Sequence, residues 1–227
     1  MTLADDGESI VTSAQRQTML ARLVDAIVAL PTDRPRRVAI DGVDGAGKTW
    51  LADELAEPIR AAGRPVLRAS VDGFHRPRAE RYSRGRGSPD GYYLDSYDYP
   101  TLRTVLLDPL VAGEPVVPAV FDHTRDASVP RRTQPVEPGT VLLFDGIFLH
   151  RRELADLWDL SVFCRIDPVI SCARMAFRDG APADPEHPAN HRYVEGQRRY
   201  LADCDPEALA TYVVDNTDLA RPYLVER

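Results

Sequence analysis

The 227-residue sequence has few of the features that mark a secreted or a membrane-bound protein. Its three cysteines fit neither the even count nor the spacing of a disulfide framework or a zinc site: Cys164, Cys172 and Cys204. We expect them to pack in the interior of a protein from a reducing compartment. No apolar run is long enough to cross a membrane and no signal-peptide pattern is found, so the sequence predicts a cytoplasmic location with no membrane contact.

The sequence also lacks a net positive charge. The formal net charge of −7 excludes a protein that coats nucleic acid, so any phosphate binding must be local. The hydrophobic fraction of 44% and the charged fraction of 28% are ordinary for a globular protein. There is no internal repeat, and the length predicts one domain over 1–227.

Apolar strand patterns alternate with helical patterns, which predicts an α/β fold with a parallel sheet covered by helices on both faces. The predicted strands are 37–41, 66–71, 140–145, 160–166 and 210–215, and the predicted helices are 12–30, 50–56, 101–111, 168–178 and 192–202. Residues 76–100 read as a long loop because of their glycines and prolines. Residues 116–121 and 129–136 are expected to pair as a hairpin, at about 115–137.

The most specific motif is Gly-Val-Asp-Gly-Ala-Gly-Lys-Thr at residues 42–49, between a predicted strand and a predicted helix. Glycines let backbone N–H groups curl around an anion, and the helix N-terminus adds partial positive charge. Lys48 is expected to reach the β- and γ-phosphates and Thr49 to bind Mg²⁺. The predicted nucleotide-binding residues are Gly42, Val43, Asp44, Gly45, Ala46, Gly47, Lys48 and Thr49.

Two aspartates come at the ends of predicted strands, where ligands of open α/β sheets bind. Asp145 follows a buried strand and is predicted to hold Mg²⁺ beside Thr49; the alternative is a capping residue. Asp72 can orient an alcohol and accept its proton during phosphoryl transfer, although an aspartate that merely starts a turn is the alternative.

Arg174 and Arg178 lie one helical turn apart and precede a proline-rich break. Two guanidinium groups in this position suit a lid that closes over a transferring phosphate, with solvated helix charges as the alternative.

Several short motifs resemble those of the uridine kinases and follow the same order. Residues 72–76 (D-G-F-H-R) resemble the family's D-S-F-Y-R, and residues 97–100 (Y-D-Y-P) resemble its F-D-H-P. Residues 144–147 (F-D-G-I) are similar to F-E-G-I, and residues 173–179 are similar to its lid run ending in R-D. With the phosphate loop, the resemblance covers about residues 37–216.

The resemblance implies a P-loop NTPase fold with a core at 37–216, a substrate hairpin at about 115–137 and a helical lid at about 174–192. It implies transfer of a phosphoryl group from ATP (or GTP), with Mg²⁺, to the 5′-hydroxyl of a nucleoside. Asp72 is then the catalytic base, and Asp98 binds the ribose hydroxyls. The implied catalytic residues are Asp72, Lys48, Arg174 and Arg178, and the implied substrate residues are Asp72, His75, Tyr97, Asp98, Phe121, His123 and Arg125.

The sequence departs from the family at residues 121–125 (F-D-H-T-R), which are two residues shorter than the family's base-reading segment and lack its tyrosine. Recognition of uracil or cytosine by His123 therefore stays open. The alternatives are a kinase for another small alcohol, such as pantothenate, a vitamin riboside or a sugar phosphate, and a nucleotide-gated ATPase or switch. Arg84 and Arg86 could clamp a phosphate or lie on a flexible loop, and a homo-oligomer is not excluded.

Overall fold

The computed structural model describes residues 13–226, so the predicted helix start at Thr12 lies outside the described residues. The strands are β1 Arg36–Gly42, β2 Val66–Ser70, β3 Phe121–Asp122, β4 Ala127–Ser128, β5 Val141–Gly146, β6 Leu160–Arg165, β7 Tyr212–Asp215 and β8 Tyr223–Leu224. The helices are α1 Ala14–Val28, α2 Lys48–Ala61, α3 Arg78–Arg81, α4 Pro89–Asp95, α5 Tyr99–Leu102, α6 Asp108–Ala112, α7 Pro168–Asp179, α8 His191–Cys204 and α9 Pro206–Leu209. Short 3₁₀ turns occupy Val71–Phe74 and Ala155–Leu157, and a π-helical turn at Arg103–Leu107 joins α5 to α6.

Six strands form one sheet in the order β2-β5-β1-β6-β7-β8. The first five are parallel, and only the two-residue β8 pairs antiparallel with β7. The chain crosses from one side of β1 to the other, which opens a crevice at the carboxyl ends of the strands. The predicted parallel sheet is confirmed.

The sheet separates two buried clusters because successive strand residues point to opposite faces. Val38 and Ile40 of β1 belong to the cluster that contains the apolar residues of α1 and α2. Ala39 of β1 and Phe144 of β5 belong to the other cluster, with the aromatic residues of α4 and α8. Both faces are therefore covered, as the sequence predicts.

The prediction of an irregular loop over 76–100 is wrong, because α3, α4 and the start of α5 lie there. Pro89 occupies the first turn of α4, where its missing N–H has no cost, and the Ser88 hydroxyl accepts a hydrogen bond from the Gly91 N–H at 3.1 Å. A Cβ at Gly91 would lie 3.3 Å from Arg192 of α8. The glycine read as a helix breaker is instead part of α4, where it lies against the Arg192 guanidinium.

The expected hairpin is present with far shorter strands. The backbones of Val116 and Gln134 exchange two hydrogen bonds of 2.9 and 2.8 Å, and β3 pairs with β4 near the tip. Between these points the ladder is interrupted, since Pro118 and Pro130 have no N–H to donate.

Two of the three cysteines, Cys164 and Cys172, are buried, Cys204 is half-buried, and all three are free thiols. Within residues 13–226 no helix is long and apolar enough to cross a bilayer.

Candidate active site

The phosphate loop lies where β1 ends at Gly42 and α2 begins at Lys48. Gly45 and Gly47 have φ angles of +70° and +81°, which residues with a Cβ rarely adopt. A Cβ at Gly45 would lie 2.8 Å from the Ser171 carbonyl oxygen, and one at Gly47 would lie 2.6 Å from the Asn216 amide nitrogen. Both glycines are therefore required by the local packing as well as by the backbone conformation.

Lys48 folds back over this loop, and its Nζ donates to the Val43 carbonyl oxygen at 2.8 Å. A single ammonium group beside a curl of backbone amides at a helix N-terminus fits an anionic phosphate chain. Its role in binding the β- and γ-phosphates stays a prediction.

Arg174 supports the loop from α7. Its guanidinium donates to the Gly45 carbonyl oxygen at 3.1 Å and to the carbonyl oxygens of Asn216 and Thr217 at 3.0 and 2.8 Å. The Asn216 amide in turn donates to the Ala46 carbonyl oxygen at 2.7 Å. The predicted lid arginine therefore ties α7 and the end of β7 to the backbone of the phosphate loop.

Thr49 and Asp145 meet at the tip of the sheet, with the Thr49 hydroxyl donating to Asp145 Oδ2 at 2.6 Å. Hydroxyl and carboxylate oxygens are the ligands that Mg²⁺ prefers, and Mg²⁺ takes the rest of its shell from phosphates and water. No cluster of three or more His, Cys, Asp or Glu side chains that could hold a metal ion occurs in the described part of the chain. The pair fits the predicted cation, whose binding stays a prediction.

Arg68 of β2 contacts this pair and was missed by the sequence reasoning. Its Nη1 donates to Asp145 Oδ1 at 3.0 Å, and its Nε and Nη2 donate to Asp53 Oδ1 at 3.0 and 2.9 Å. The carboxylate predicted to hold Mg²⁺ is thus already oriented by a cation of the protein.

A cavity of about 480 Å³ opens beside the phosphate loop, a volume typical of small-molecule sites. Its walls come from the phosphate loop, the turn after β2, α3 and α4, the hairpin tip, α7, α8 and the α7–α8 connection (residues 180–190). The lining residues are Asp44, Asp72, His75, Arg81, Tyr82, Tyr92, Ser96, Tyr97, His123, Ser171, Cys172, Met175, Arg178, Asp179, Ala181, Pro182, Ala189, Asn190, Arg192, Tyr193, Val194 and Gln197.

Asp72 lies in the 3₁₀ turn that follows β2, and its carboxylate lines this cavity. The Ser70 hydroxyl caps the turn by accepting a hydrogen bond from the Asp72 N–H at 3.3 Å. The Asp72 side chain is 58% exposed, so a ligand can reach it. The position suits a group that orients an acceptor hydroxyl.

His75, Tyr97 and His123 form one aromatic wall of the cavity. The His75 ring stacks on His123 with centroids 4.7 Å apart and lies 4.6 Å from the Tyr97 ring. Burial lowers the pKa of His75, with Asp72 acting in the opposite direction. Burial raises the pKa of Tyr97 well above its usual value, and nearby Asp72 adds to this effect.

Three predicted substrate residues do not line the cavity. The Asp98 carboxylate caps α5, accepting from the Thr101 N–H at 3.1 Å and from the Thr101 hydroxyl at 2.6 Å. Phe121 is buried in the hairpin, and Arg125 is exposed and paired with Asp122 at 3.5 Å. In this structure the Asp98 carboxylate caps a helix. The sequence motif alone could not distinguish a capping role from a ligand-binding role.

Among the arginines expected to bind phosphate, Arg178 lines the cavity and is paired with Asp179 at 2.8 Å. Hydrogen bonding to Asp179 raises the pKa of Arg178. Arg84 pairs with Asp95 at 2.7 Å, and Arg86 lies 5.9 Å from the Tyr82 ring. Neither Arg84 nor Arg86 lines the cavity.

No sequence motif predicted the side chains that join the phosphate loop to the cavity walls. Asp44 Oδ2 accepts hydrogen bonds from the Tyr92 hydroxyl of α4 at 2.9 Å and from Gln197 Nε2 of α8 at 2.7 Å. Below them, Tyr200 of α8 and His150 both contact the buried Asp41 carboxylate just before the loop. No motif signals these contacts, because their residues are far apart in the sequence.

No protein-family model matches the chain. A uridine kinase from Leuconostoc citreum is 26% identical over 195 residues, which cover 77% of this chain and 88% of that protein. A solved structure from Bacillus stearothermophilus, described as a possible uridine kinase, has a TM-score of 0.71 at 24% identity and covers 89% of this chain and 98% of its own. A solved Silicibacter protein named as a fructose transport system kinase has a TM-score of 0.66 at 25% identity and covers 81% of this chain and 94% of its own. The loop geometry described above and these similarities support a P-loop NTPase fold and a small-molecule kinase, and the chain is similar to uridine kinases over most of its length.

Proposed function

We propose that this protein transfers the terminal phosphoryl group of ATP, or GTP, to the 5′-hydroxyl of a uridine- or cytidine-like nucleoside, with Mg²⁺. One observation carries the proposal: the phosphate loop and Asp72 open onto the same cavity, to which the loop contributes Asp44. A transferase needs this adjacency, since the acceptor oxygen must face the phosphorus that it attacks.

In the proposed reaction, Asp72 accepts a hydrogen bond from the acceptor hydroxyl and takes its proton as the new oxygen–phosphorus bond forms. The bond between the γ-phosphorus and the oxygen bridging to ADP breaks in the same transfer. Lys48 and the loop amides stabilise charge on the transferring group, and Arg178 faces it from α7. Thr49 and Asp145 would hold Mg²⁺, which would neutralise charge on the phosphate oxygens when bound.

The cavity suits an uncharged acceptor with a flat ring. The wall of His75, Tyr97 and His123 offers aromatic faces on which a base can stack. Of the cavity arginines, Arg81 and Arg192 are engaged by backbone carbonyl oxygens, and Arg178 is assigned to the transferring phosphoryl group. These contacts favour a nucleoside over a sugar phosphate, which needs uncommitted cations.

Water must be kept from the acceptor position, because a phosphate loop with water there hydrolyses ATP. The α7–α8 connection forms one side of the cavity through Ala181, Pro182 and Ala189. We infer that this connection and the adjoining part of α7 act as the lid expected at 174–192.

The test is ADP release from Mg·ATP with no acceptor and with uridine, cytidine, pantothenate or fructose. Release that depends on uridine or cytidine, with the 5′-monophosphate as product, supports the proposal. Release that depends only on another alcohol would identify a different small-molecule kinase. Equal release with and without every acceptor would identify an ATPase or a nucleotide switch instead.

A further inference from the structure

Asp44 is an unusual carboxylate because it belongs to the loop that is expected to bind a triphosphate. A negative charge there opposes phosphate binding, so the side chain must be directed away from the phosphates to be tolerated. The structure directs it into the cavity that Asp72 also lines. The side chain therefore belongs to the acceptor side of the site.

The two oxygens of this carboxylate have different surroundings. Oδ2 is saturated by the Tyr92 hydroxyl and the Gln197 amide, at 2.9 and 2.7 Å. Burial, together with Asp44 itself, raises the pKa of Tyr92 well above its usual value, so the phenol remains a donor. Oδ1 accepts no hydrogen bond from any residue between 13 and 226.

A carboxylate with one fixed and one unsatisfied oxygen is a directed acceptor for a ligand's hydrogen-bond donor. Fully ionised phosphates and carboxylates cannot donate a hydrogen bond, whereas hydroxyl groups can. Meanwhile Asp98, the residue that the sequence resemblance assigns to the ribose hydroxyls, does not line the cavity, and each of its carboxylate oxygens accepts a hydrogen bond from Thr101.

We propose that Asp44 binds a secondary hydroxyl of the acceptor and so takes the role that the family motif suggests for Asp98. The inference rests on the proposed kinase function and narrows it. The acceptor carries at least one hydroxyl besides the one that is phosphorylated, and that second hydroxyl is recognised from within the phosphate loop.

The experiment compares uridine with 2′,3′-dideoxyuridine, which keeps the 5′-hydroxyl and loses the other two. Wild-type protein should prefer uridine by about 10- to 100-fold in kcat/KM, the range expected for a hydrogen bond to a charged group. Asp44→Asn keeps one oxygen that can accept hydrogen bonds from Tyr92 and Gln197, but it replaces Oδ1 with an NH₂ group. This variant should use the two nucleosides within about threefold of each other, with an ADP dissociation constant within about threefold of wild type.

Two aspartate-to-asparagine variants serve as comparisons. Asp98→Asn preserves the helix cap, since asparagine caps as well as aspartate, and should keep the wild-type preference for uridine. Asp95→Asn removes a carboxylate of α4 that lies outside the cavity, and should also keep that preference.

Three results would overturn the inference while leaving the kinase function intact: equal use of both nucleosides by wild type, an unchanged preference in Asp44→Asn, or loss of the preference in Asp98→Asn. A large loss of ADP affinity in Asp44→Asn, with the preference kept, would show a role in the nucleotide half alone. Failure of wild type to phosphorylate any nucleoside would overturn the proposed function, and this inference with it.

Discussion

The two halves of the site are built in different ways. The nucleotide half is nearly continuous in sequence, from β1 through the phosphate loop to α2, and its glycines are fixed by close contacts with backbone and side-chain atoms. The acceptor half is assembled from the turn after β2, α3, α4, the hairpin tip, α7 and α8. It depends on side-chain contacts between remote segments.

The two halves also differ in what supports them. Arg174 and Asn216 brace the loop by binding its carbonyl oxygens. The acceptor half is joined by side-chain groups such as Tyr92 and Gln197, which converge on Asp44. The comparison indicates a rigid phosphate-binding element beside a cavity whose shape depends on how several helices pack.

Asp72→Asn is the variant expected to distinguish the acceptor half from the nucleotide half most clearly. Loss of the proton acceptor should lower the rate of transfer by about 10²- to 10⁴-fold, while the binding of ADP is unchanged because Asp72 does not belong to the loop. Steady-state kinetics and calorimetric titration with ADP measure the two effects, with Asp95→Asn as the matched control. Normal turnover in Asp72→Asn would refute its assignment as the base.

Lys48→Met is expected to impair the nucleotide half instead. Loss of the ammonium group should lower the transfer rate by about 10²- to 10³-fold, as expected for removing one charge-stabilising donor. Lys48 is the only lysine in the sequence, so ¹⁵N labelling of lysine gives a single side-chain ammonium signal in the wild-type protein. That signal should shift when Mg·ADP is added and stay in place when uridine alone is added. An ammonium signal that does not shift when Mg·ADP is added would contradict the role of the loop in binding the nucleotide.

A smaller effect is expected from Arg68→Gln. The guanidinium lies 3.0 Å from Asp145 Oδ1 and opposes the approach of a second cation. Its removal should lower the Mg²⁺ concentration needed for half-maximal ADP binding by about fivefold, which is typical for loss of one partly exposed charge. Arg60→Gln on α2, a more exposed arginine, is the matched control. An increased Mg²⁺ requirement would show that orientation of Asp145 outweighs repulsion.

The smallest predicted effect concerns the aromatic wall of the acceptor half. Burial lowers the pKa of His75, so the unfolded chain binds more protons than the folded chain below a pH of about 6.5. The stability contributed by neutral His75 is present above that pH and is lost as the pH falls toward the lowered pKa. Urea unfolding at a pH of about 7.5 and about 5.5 should show a smaller loss of stability for His75→Gln than for wild type. An equal loss in both proteins would contradict this role.

The difference between the halves also explains what could be predicted from the sequence. Thr49 and Asp145 are 96 positions apart, yet their meeting follows from topology, since the carboxyl ends of neighbouring parallel strands lie at one edge of the sheet. The same rule predicts the position of Asp72 at the end of β2. The parallel sheet and its cover of helices follow from the alternation of apolar patterns.

The remaining contacts depend on helix rotation and packing, which no local pattern encodes. Gln197 meets Asp44 across 153 positions, and Arg192 packs against Gly91 of α4. Asp98 is a different case, because the structure gives this motif aspartate a role as a helix cap that the sequence did not predict, while its binding of a ligand stays a prediction. Predictions of strand-end residues were therefore more informative than predictions of side chains in loops and on helices.

The central claim is that an alcohol held by Asp72 faces the end of a triphosphate held by the phosphate loop. A crystal structure with a non-hydrolysable ATP analogue, Mg²⁺ and uridine tests it most directly. We predict that the 5′-hydroxyl lies within hydrogen-bonding distance of Asp72 and points at the γ-phosphorus. A nucleoside bound outside this cavity, or an Asp72 carboxylate turned away from the terminal phosphate, would contradict the account.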